Sequence, residues 1–347
     1  MKIIIDFFEL LQKNIKAIIN SYGYKIVKIK RPNKKKITNR LVNQTEAIAA
    51  HFDDENTYNL VNKSQFFTVQ IDAKPGINHL REALNWLVRE SISLNRTPLV
   101  FTPHFDNCHN FDIEVQANWD KYINLNNIQI IHKPTGNAIS IQAVMEKDIT
   151  GFDDLSVLWV ERDHVITEKE NSEFDLIIRH NKTGLEISCI HNGIRGLPEY
   201  SVTFLPSACV LDTYNQVSNK IENYCAIHVR RGDMLSMVET YPNLKHDTHP
   251  DQIIATISKV LTRKSNIYIL TNERDRNYFN PLNNDYIVFQ YFDFPELSEL
   301  IECEKPDNFL LFEIEKLIFE NANTKIYTFT HPEGGTRISL SKNLGWA

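Results

Sequence analysis

The sequence predicts an α/β protein whose C-terminal part is a doubly wound parallel sheet. Two observations support this prediction. From Tyr224 onward apolar strands alternate with helices, in the order strand 225–229, helix 251–263, strand 266–270, helix 274–280, strand 286–290, helix 307–322 and strand 325–329. Strands that alternate with helices of this size form parallel sheets with right-handed crossovers. The second observation is the length of 347 residues, because roughly 150 residues make one domain and the chain is therefore long enough for two.

The N-terminal region is predicted to be an extension, residues 1–65, that contains an amphipathic helix and a basic linker. One helical stripe over residues 6–20 is apolar, and a lysine-rich stretch follows it up to Lys36. Such a helix with basic residues behind it could rest on an anionic membrane, which makes residues 1–36 a candidate peripheral contact at the inner membrane face. The alternative is a helix docked on the domain with a solvated linker. Residues 37–65 are expected to form a loop-rich connection.

The middle of the chain, residues 66–215, is predicted to be a first α/β domain. Phe66–Ile71 is a predicted strand, a Pro75-Gly76 turn follows it, and a helix is expected over 78–95. A short strand over 99–101 comes next. Alternating runs with turn residues predict hairpins over 170–205. The remaining residues, 216–347, form the second predicted domain.

Composition excludes several classes of function. Apolar residues make up 42% and charged residues 24% of the chain, which is typical of a globular protein. The net charge of −6 argues against nucleic-acid binding. The five cysteines lack a C-x-x-C pair, so they are expected to be buried free thiols in a reducing compartment. No apolar run reaches the ~18 residues that span a bilayer, and Asp6 and Glu9 interrupt a would-be signal peptide. We therefore expect a cytoplasmic protein.

The most informative segment is the strand that ends in Arg230 and Arg231. A guanidinium at the end of a buried strand needs an anionic partner, and its planar fork suits phosphate or carboxylate. Because side chains alternate along a strand, His228 and Arg230 should point to one face and Arg231 to the other. One arginine is thus expected to face a cleft while the other packs back, with Asp233 as its expected partner. The alternative is a structural salt bridge at a strand end.

Two further strand ends carry polar side chains. Thr271, Asn272 and Glu273 follow the second strand, and Thr330 ends the last one. Carboxyl ends of parallel strands meet at one sheet edge, where ligands of doubly wound domains bind. Gly334-Gly335-Thr336-Arg337 is expected to lead into a final helix, whose N-terminus would favour phosphate. The chain has neither G-x-G-x-x-G nor a Walker loop, which argues against an NAD enzyme or a P-loop NTPase.

These motifs resemble those of a known enzyme group. Residues 228–233 resemble the H-x-R-R-x-D motif of α-1,2- and α-1,6-fucosyltransferases. Protein O-fucosyltransferases share this motif in a looser form. The second and third motifs of the group resemble 267–273 and 312–330. In the N-terminal half, residues 75–81 and 94–100 are similar to the glycine–asparagine loop and helix of the O-fucosyltransferases, and 119–125 to a further segment. The resemblance spans roughly residues 66–347.

The resemblance implies a GT-B architecture, in which two Rossmann-like domains face each other across a cleft. It implies an inverting transfer of L-fucose from GDP-β-L-fucose to a glycan hydroxyl, in bacterial surface-glycan synthesis, without a metal or another cofactor. Arg230 would stabilise the charge that builds on the GDP leaving group. Glu315 matches an acidic position that reads guanine, with a solvated helix face as the alternative. The other implied donor-site residues are His228, Arg231, Asp233, Thr271, Asn272, Glu273, Thr330 and Arg337, with Gly76 and Asn78 from the other domain.

The catalytic base and the substrates leave alternatives open. An inverting transfer needs a proton acceptor, but the loop 73–76 has no acid, so Asp72 and His79 are the candidates. Arginines on a pyrophosphate do not read the sugar, so another nucleotide sugar is an alternative donor. A non-catalytic, glycan-binding relative is the alternative to an enzyme. The Arg231-Gly232-Asp233 tripeptide also occurs in adhesion modules, but here it follows a hydrophobic strand.

Overall fold

The computed structural model describes residues 25–28, 58–61, 65–72, 74, 76–115, 117–132, 136–162, 164–181, 200–330 and 338–344. The chain divides between Ser207 and Ala208 into two compact units. Sequence analysis placed this boundary eight residues later, between 215 and 216. The difference is one helix, Ala208–Ser218, which packs against a helix of the second unit and belongs to that unit.

The first unit contains nine strands and two helices among its described residues. In chain order they are β1 Lys25–Lys28, β2 Tyr58–Val61, β3 Phe66–Ile71, α1 Ile77–Leu94, β4 Thr97–Pro98, β5 Ile123–His132, β6 Asn137–Ile141, β7 Val157–Glu161, α2 Glu168–Glu173, β8 Leu176–Asn181 and β9 Tyr200–Pro206. They form two sheets. One is four-stranded and parallel, in the order β4-β3-β8-β7, and the other is five-stranded and mixed, in the order β1-β2-β6-β5-β9.

Helix α1 covers one face of the parallel sheet. The indole ring of Trp86 in this helix packs edge-on against Phe67 of β3, with 6.1 Å between the ring centroids. Arg179 of β8 lies on the same face and forms a salt bridge of 2.5 Å with Glu90 of α1. Both side chains are buried, and desolvation raises the pKa of Glu90 in spite of the opposing charge. The covered face therefore combines an apolar core with one desolvated ion pair.

The first unit differs from the sequence prediction in one place. Strands β1 and β2 lie within the region predicted to be a basic linker and a loop-rich connection. They pair antiparallel with each other, and β2 pairs with β6. The hairpins predicted over 170–205 fall largely on residues 182–199, which lie outside the described residues. β8 joins β3 and β7 in parallel, while β9 runs antiparallel to β5, because distant segments supply the hydrogen-bonding partners of both strands.

The second unit is the predicted α/β domain. It contains α3 Ala208–Ser218, β10 Tyr224–Val229, α4 Leu244–Asp247, α5 Pro250–Ile257, β11 Asn266–Thr271, β12 Ile287–Phe289, α6 Pro295–Ser298, α7 Asn308–Glu320, β13 Thr324–Thr330 and β14 Ser339–Leu344. All strand pairs are parallel, in the order β12-β11-β10-β13-β14. The apolar residues of β10 and β11 are buried against α5. The predicted α/β class with parallel sheets is confirmed.

Two predicted helices of the second unit are wrong. Residues 274 and 275 are irregular, a turn occupies residues 276–279, and a 3₁₀ helix follows at Asn280–Asn284. The predicted final helix is the strand β14, which extends the sheet beside β13. A short polar segment can form either element, and here an open sheet edge decides which one forms. None of the helices in the described part of the chain has the length and apolar character of a membrane span.

The described cysteines are free thiols. Cys225 is buried, whereas Cys108, Cys209 and Cys303 are exposed, so the expectation of buried thiols is wrong for these three.

Candidate functional site

Three neighbouring strands of the second unit end at one sheet edge, and threonine hydroxyls tie their ends together. The Thr328 hydroxyl of β13 donates to the His228 carbonyl at 2.6 Å and accepts from the Arg230 backbone N–H at 2.7 Å. The Thr271 hydroxyl of β11 donates to the Val229 carbonyl at 2.8 Å. These bonds fix the backbone on both sides of Arg230, so the loop after β10 is held at a defined position.

Arg231 is buried inside the second unit, and its guanidinium has several partners there. Its Nε donates to Glu273 at 2.9 Å and its Nη1 to the Thr248 hydroxyl at 2.6 Å. The guanidinium also lies 4.1 Å from the ring centroid of Tyr278, a cation–π distance. Only 6% of the side chain is exposed. Arg231 is thus the arginine that packs back, and it is a structural anchor of the loop.

Arg230 has a different environment. Its side chain is 21% exposed, and its Nη2 lies 2.9 Å from a carboxylate oxygen of the exposed Asp233. The expectation that Asp233 pairs with the arginine that packs back is therefore wrong, because Glu273 occupies that position. The alternation of faces along β10 explains this arrangement, since successive side chains point to opposite sides. Arg230 is the cation of this pair whose charge is left accessible to a ligand.

Gly232 is required for the turn between these side chains. Its φ is +33°, and a Cβ at this position would lie 2.2 Å from the Asn272 side-chain nitrogen. The same Asn272 accepts the Arg231 backbone N–H at 2.7 Å and donates to Asp233 at 3.2 Å. The polar residues after β10 and β11 therefore form one connected network, as their predicted location at a common edge requires.

Two titratable groups of this network have shifted pKa values. Burial, and then the positive charge of Arg230, lowers the pKa of His228 to about 4, so the imidazole is neutral at neutral pH. Desolvation raises the pKa of Glu273, but the hydrogen bonds from Arg231 and the Asp275 backbone outweigh it, and the net pKa is lowered. The edge consequently carries the positive charge of Arg230 beside a neutral histidine.

Glu315 does not lie on a solvated helix face. It is 7% exposed, and one of its carboxylate oxygens accepts the Tyr268 hydroxyl at 2.9 Å. Burial raises its pKa to about 8, although the tyrosine hydrogen bond opposes the shift. Tyr268 is the third residue of β11, so this pair lies below the middle of the strand and not at its carboxyl end. Guanine recognition by Glu315 stays a prediction.

The segment that follows the carboxyl end of β13 is only partly within the described residues. The Thr330 hydroxyl lies 3.0 Å from the Ser339 hydroxyl of β14, so it links the two strands. Arg337 and the glycines before it lie outside the described residues. Because β14 replaces the predicted helix, the helix N-terminus that was expected to favour phosphate is not present there.

In the first unit, Asp72 follows β3 and pairs with a histidine that sequence analysis did not select. Its carboxylate lies 2.8 Å from Nε2 of His180 on β8. The register of the two strands, in which Gln70 lies opposite His180, brings them together at the carboxyl ends. The other base candidate, His79, is half-buried in the first turn of α1, near the exposed Asn78.

A set of potential metal ligands lies beside Gly76. Within the described residues, one group of three has ligand atoms that are all within 4.8 Å of one another, namely Asp106, Cys108 and His109. A Cβ on Gly76 would lie 3.5 Å from the His109 ring. The family resemblance implies a transfer without a metal, and this independence of a metal stays a prediction.

Sequence reasoning missed three residues at the strand ends of the second unit, Thr248, Tyr278 and Thr328, and one residue beside Asp72 in the first unit, His180. Thr328 lies at the end of a predicted strand, and this position was the only signal available for it. The others are polar or aromatic residues without a motif, and strand register or loop packing brings them to the site.

Comparison with known proteins gives distant structural similarity only. No protein-family profile and no curated protein matches the sequence. Among solved structures, POFUT1 in complex with GDP-fucose is similar with a TM-score of 0.44 and 9% identity, over 77% of this chain and 91% of that chain. Fucosyltransferase NodZ from Bradyrhizobium is similar with a TM-score of 0.36 and 10% identity, over 76% and 89%. NodZ α-1,6-fucosyltransferase co-crystallised with GDP has a TM-score of 0.39 and 11% identity, over 77% and 88%.

Proposed function

We propose that the protein is a glycosyltransferase that moves L-fucose from GDP-β-L-fucose to a glycan hydroxyl with inversion. The observation that carries the proposal is the difference in environment between the two arginines of the H-x-R-R-x-D segment. Arg231 is fixed by Glu273 and Thr248, while Arg230 keeps a partly exposed guanidinium at the sheet edge. A cation held on a rigid strand end is suited to an anionic leaving group.

In this proposal, Arg230 acts on the pyrophosphate of the donor. Negative charge on GDP rises as the bond between the sugar and oxygen breaks, and a guanidinium already in place stabilises that charge without reorganisation. Asp233 holds the Arg230 side chain before the donor binds. His228 is neutral at neutral pH, so it adds no positive charge to that of Arg230. Thr271, Asn272 and Thr330 are additional hydrogen-bonding groups of the same unit.

We propose the Asp72–His180 pair as the proton acceptor for the glycan hydroxyl. A histidine whose ring nitrogen contacts a carboxylate is held in one orientation, as in other acid–base pairs. The 2.8 Å contact between His180 and Asp72 meets this condition. His79 is the second candidate, on its position after the 73–76 loop. Alanine variants that lose transfer but still bind GDP would identify the acceptor.

A thermal-shift screen of nucleotides tests the donor assignment. We expect GDP to stabilise the protein and UDP, ADP and NAD to leave it unchanged. A ligand that binds only the folded state at about 100-fold excess over its Kd adds about 2.7 kcal/mol to the free energy of unfolding. Stabilisation by UDP without any by GDP would overturn the assignment of the donor.

A further inference from the structure

A pocket of about 710 Å³ lies on the face of the four-stranded sheet opposite α1. Its volume is within the range of small-molecule sites. The strand register aligns Thr68, Ile178 and Trp159 across this face, and all three line the pocket. None of the catalytic or donor-site residues predicted from the sequence lines it, although Leu99, Val100 and Trp119 belong to the segments 94–100 and 119–125 of the resemblance. The pocket belongs entirely to the first unit.

The lining combines aromatic rings with hydrogen-bonding groups. Trp159 is 57% exposed on the edge strand β7, an unusual exposure for an indole on a sheet face. Phe101 and Phe152 are half-buried at the same pocket. Trp119 also lines it, and its buried indole N–H has no hydrogen-bond partner among the residues that the structure describes. The polar lining groups include Gln70, Thr102, His104, Asn118, Glu146 and Asp153.

We propose that this pocket binds a sugar ring of the glycan acceptor, stacked on Trp159. A sugar has an apolar C–H face, which suits an exposed indole, and a rim of hydroxyls, which suits amides and carboxylates. A purely apolar ligand would displace water from these polar groups without replacing the hydrogen bonds that water makes. The inference rests on the proposed function only in naming the sugar as the acceptor.

The charges of the lining favour a neutral sugar. Glu146 and Asp153 contribute two carboxylates, while Lys147 is already paired with Asp120 at 3.3 Å. A uronic acid would meet uncompensated negative charge at this surface.

The pocket also adjoins the proposed proton acceptor. The Gln70 amide, which lines the pocket, donates to Asp72 at 3.4 Å, and Asp72 in turn contacts His180. Both residues lie at the carboxyl end of the strands that form the pocket floor. A sugar on Trp159 would therefore have the Asp72–His180 pair at one border of its site.

Saturation-transfer NMR on the full chain without nucleotide tests the proposal. The probes are lactose, N,N′-diacetylchitobiose, methyl α-mannoside and digalacturonate. We expect at least one neutral probe to bind, and Trp159→Ala to weaken this binding roughly tenfold or more, as loss of an aromatic anchor does. Phe111→Ala, an exposed aromatic outside the pocket, is the matched control and should leave binding unchanged.

The outcomes separate this proposal from the proposed function. Because Trp159 is exposed, its variant should keep the wild-type circular dichroism and unfolding midpoint. Binding of no probe, equal binding to Trp159→Ala, or a preference for digalacturonate would overturn the pocket assignment, whatever GDP does. If GDP fails to stabilise the protein while a sugar probe still binds, the donor assignment is overturned and the pocket remains a sugar site.

Discussion

Arg230 and Arg231 are adjacent in the sequence, yet their side chains have different environments. Arg231 is surrounded by Glu273, Thr248 and Tyr278, and removal of a buried guanidinium would leave the Glu273 carboxylate without its cation. Arg230 contacts Asp233 and keeps part of its surface exposed. The two positions should therefore separate stability from activity.

We expect Arg231→Ala to lower the free energy of unfolding by about 3 kcal/mol, because it leaves Glu273 without its cation in a largely buried site. Arg230→Ala should change stability by less than about 1 kcal/mol, as is usual for a partly exposed ion pair, and should lose GDP binding. Transfer should fall roughly 10²–10³-fold, as with the loss of one donor to developing charge. Urea unfolding and fucosyl-transfer assays measure the two effects.

The matched control is Arg263→Ala, whose guanidinium is 83% exposed and pairs with Asp285 away from the strand ends. The Arg263→Ala variant should change neither the free energy of unfolding nor the rate of transfer. Normal transfer by a folded Arg230→Lys variant would remove the pyrophosphate role of Arg230, because lysine lacks the planar fork.

At the scale of elements, the contact between α7 and β11 contains a buried polar pair. The Tyr268 hydroxyl donates to Glu315, and burial raises the pKa of this carboxyl from 4.5 to about 8. Between these two values the folded protein holds a proton that the unfolded chain has released. The free energy of unfolding must then fall as the pH rises through this window.

Glu315→Gln should remove this dependence, because a glutamine carbonyl can accept the tyrosine hydrogen bond without ionising. Relative to the variant, the wild type should lose stability between about pH 4.5 and about pH 8, by at most about 1.4 kcal/mol per pH unit. Urea unfolding over a pH series measures the difference.

Glu320→Gln on the same helix is the control, since Glu320 is 39% exposed beside Lys316. A constant difference between the wild type and Glu315→Gln across this pH range would show that Glu315 ionises normally. GDP binding by Glu315→Gln would separately report whether this carboxyl contacts guanine.

At the scale of the whole molecule, the proposed chemistry makes a prediction about metals. Arg230 and the strand-end hydroxyls can balance a diphosphate, so a divalent ion is not required for this role. Transfer should survive EDTA, measured on protein dialysed against the chelator. A strict requirement for Mg²⁺ or Mn²⁺ would contradict the proposed mechanism. If EDTA removes the activity and Zn²⁺ restores it, but Zn²⁺ fails to restore it in Cys108→Ser, the result would point to the Asp106, Cys108 and His109 group.

Local patterns in the sequence determined a large part of this protein. Short runs rich in apolar residues predicted the strands β3, β10, β11 and β13, because interior strands of a parallel sheet are covered on both faces. The polar residues after β10 and β11 were predicted to share one edge, and Asn272 contacts both Arg231 and Asp233 there. The separation of the two arginines onto opposite faces also followed from strand periodicity alone.

The tertiary structure decided everything that depends on partners distant in the chain. Glu273, Thr248 and Tyr278 determine which arginine is anchored, and no local pattern relates these residues to one another. Strand register alone brings His180 to Asp72. The strand β14 forms where a helix was predicted, because the open edge of β13 offers hydrogen bonds that local propensity does not count. Local periodicity is a property of neighbouring residues, whereas pairing and burial are properties of the folded chain.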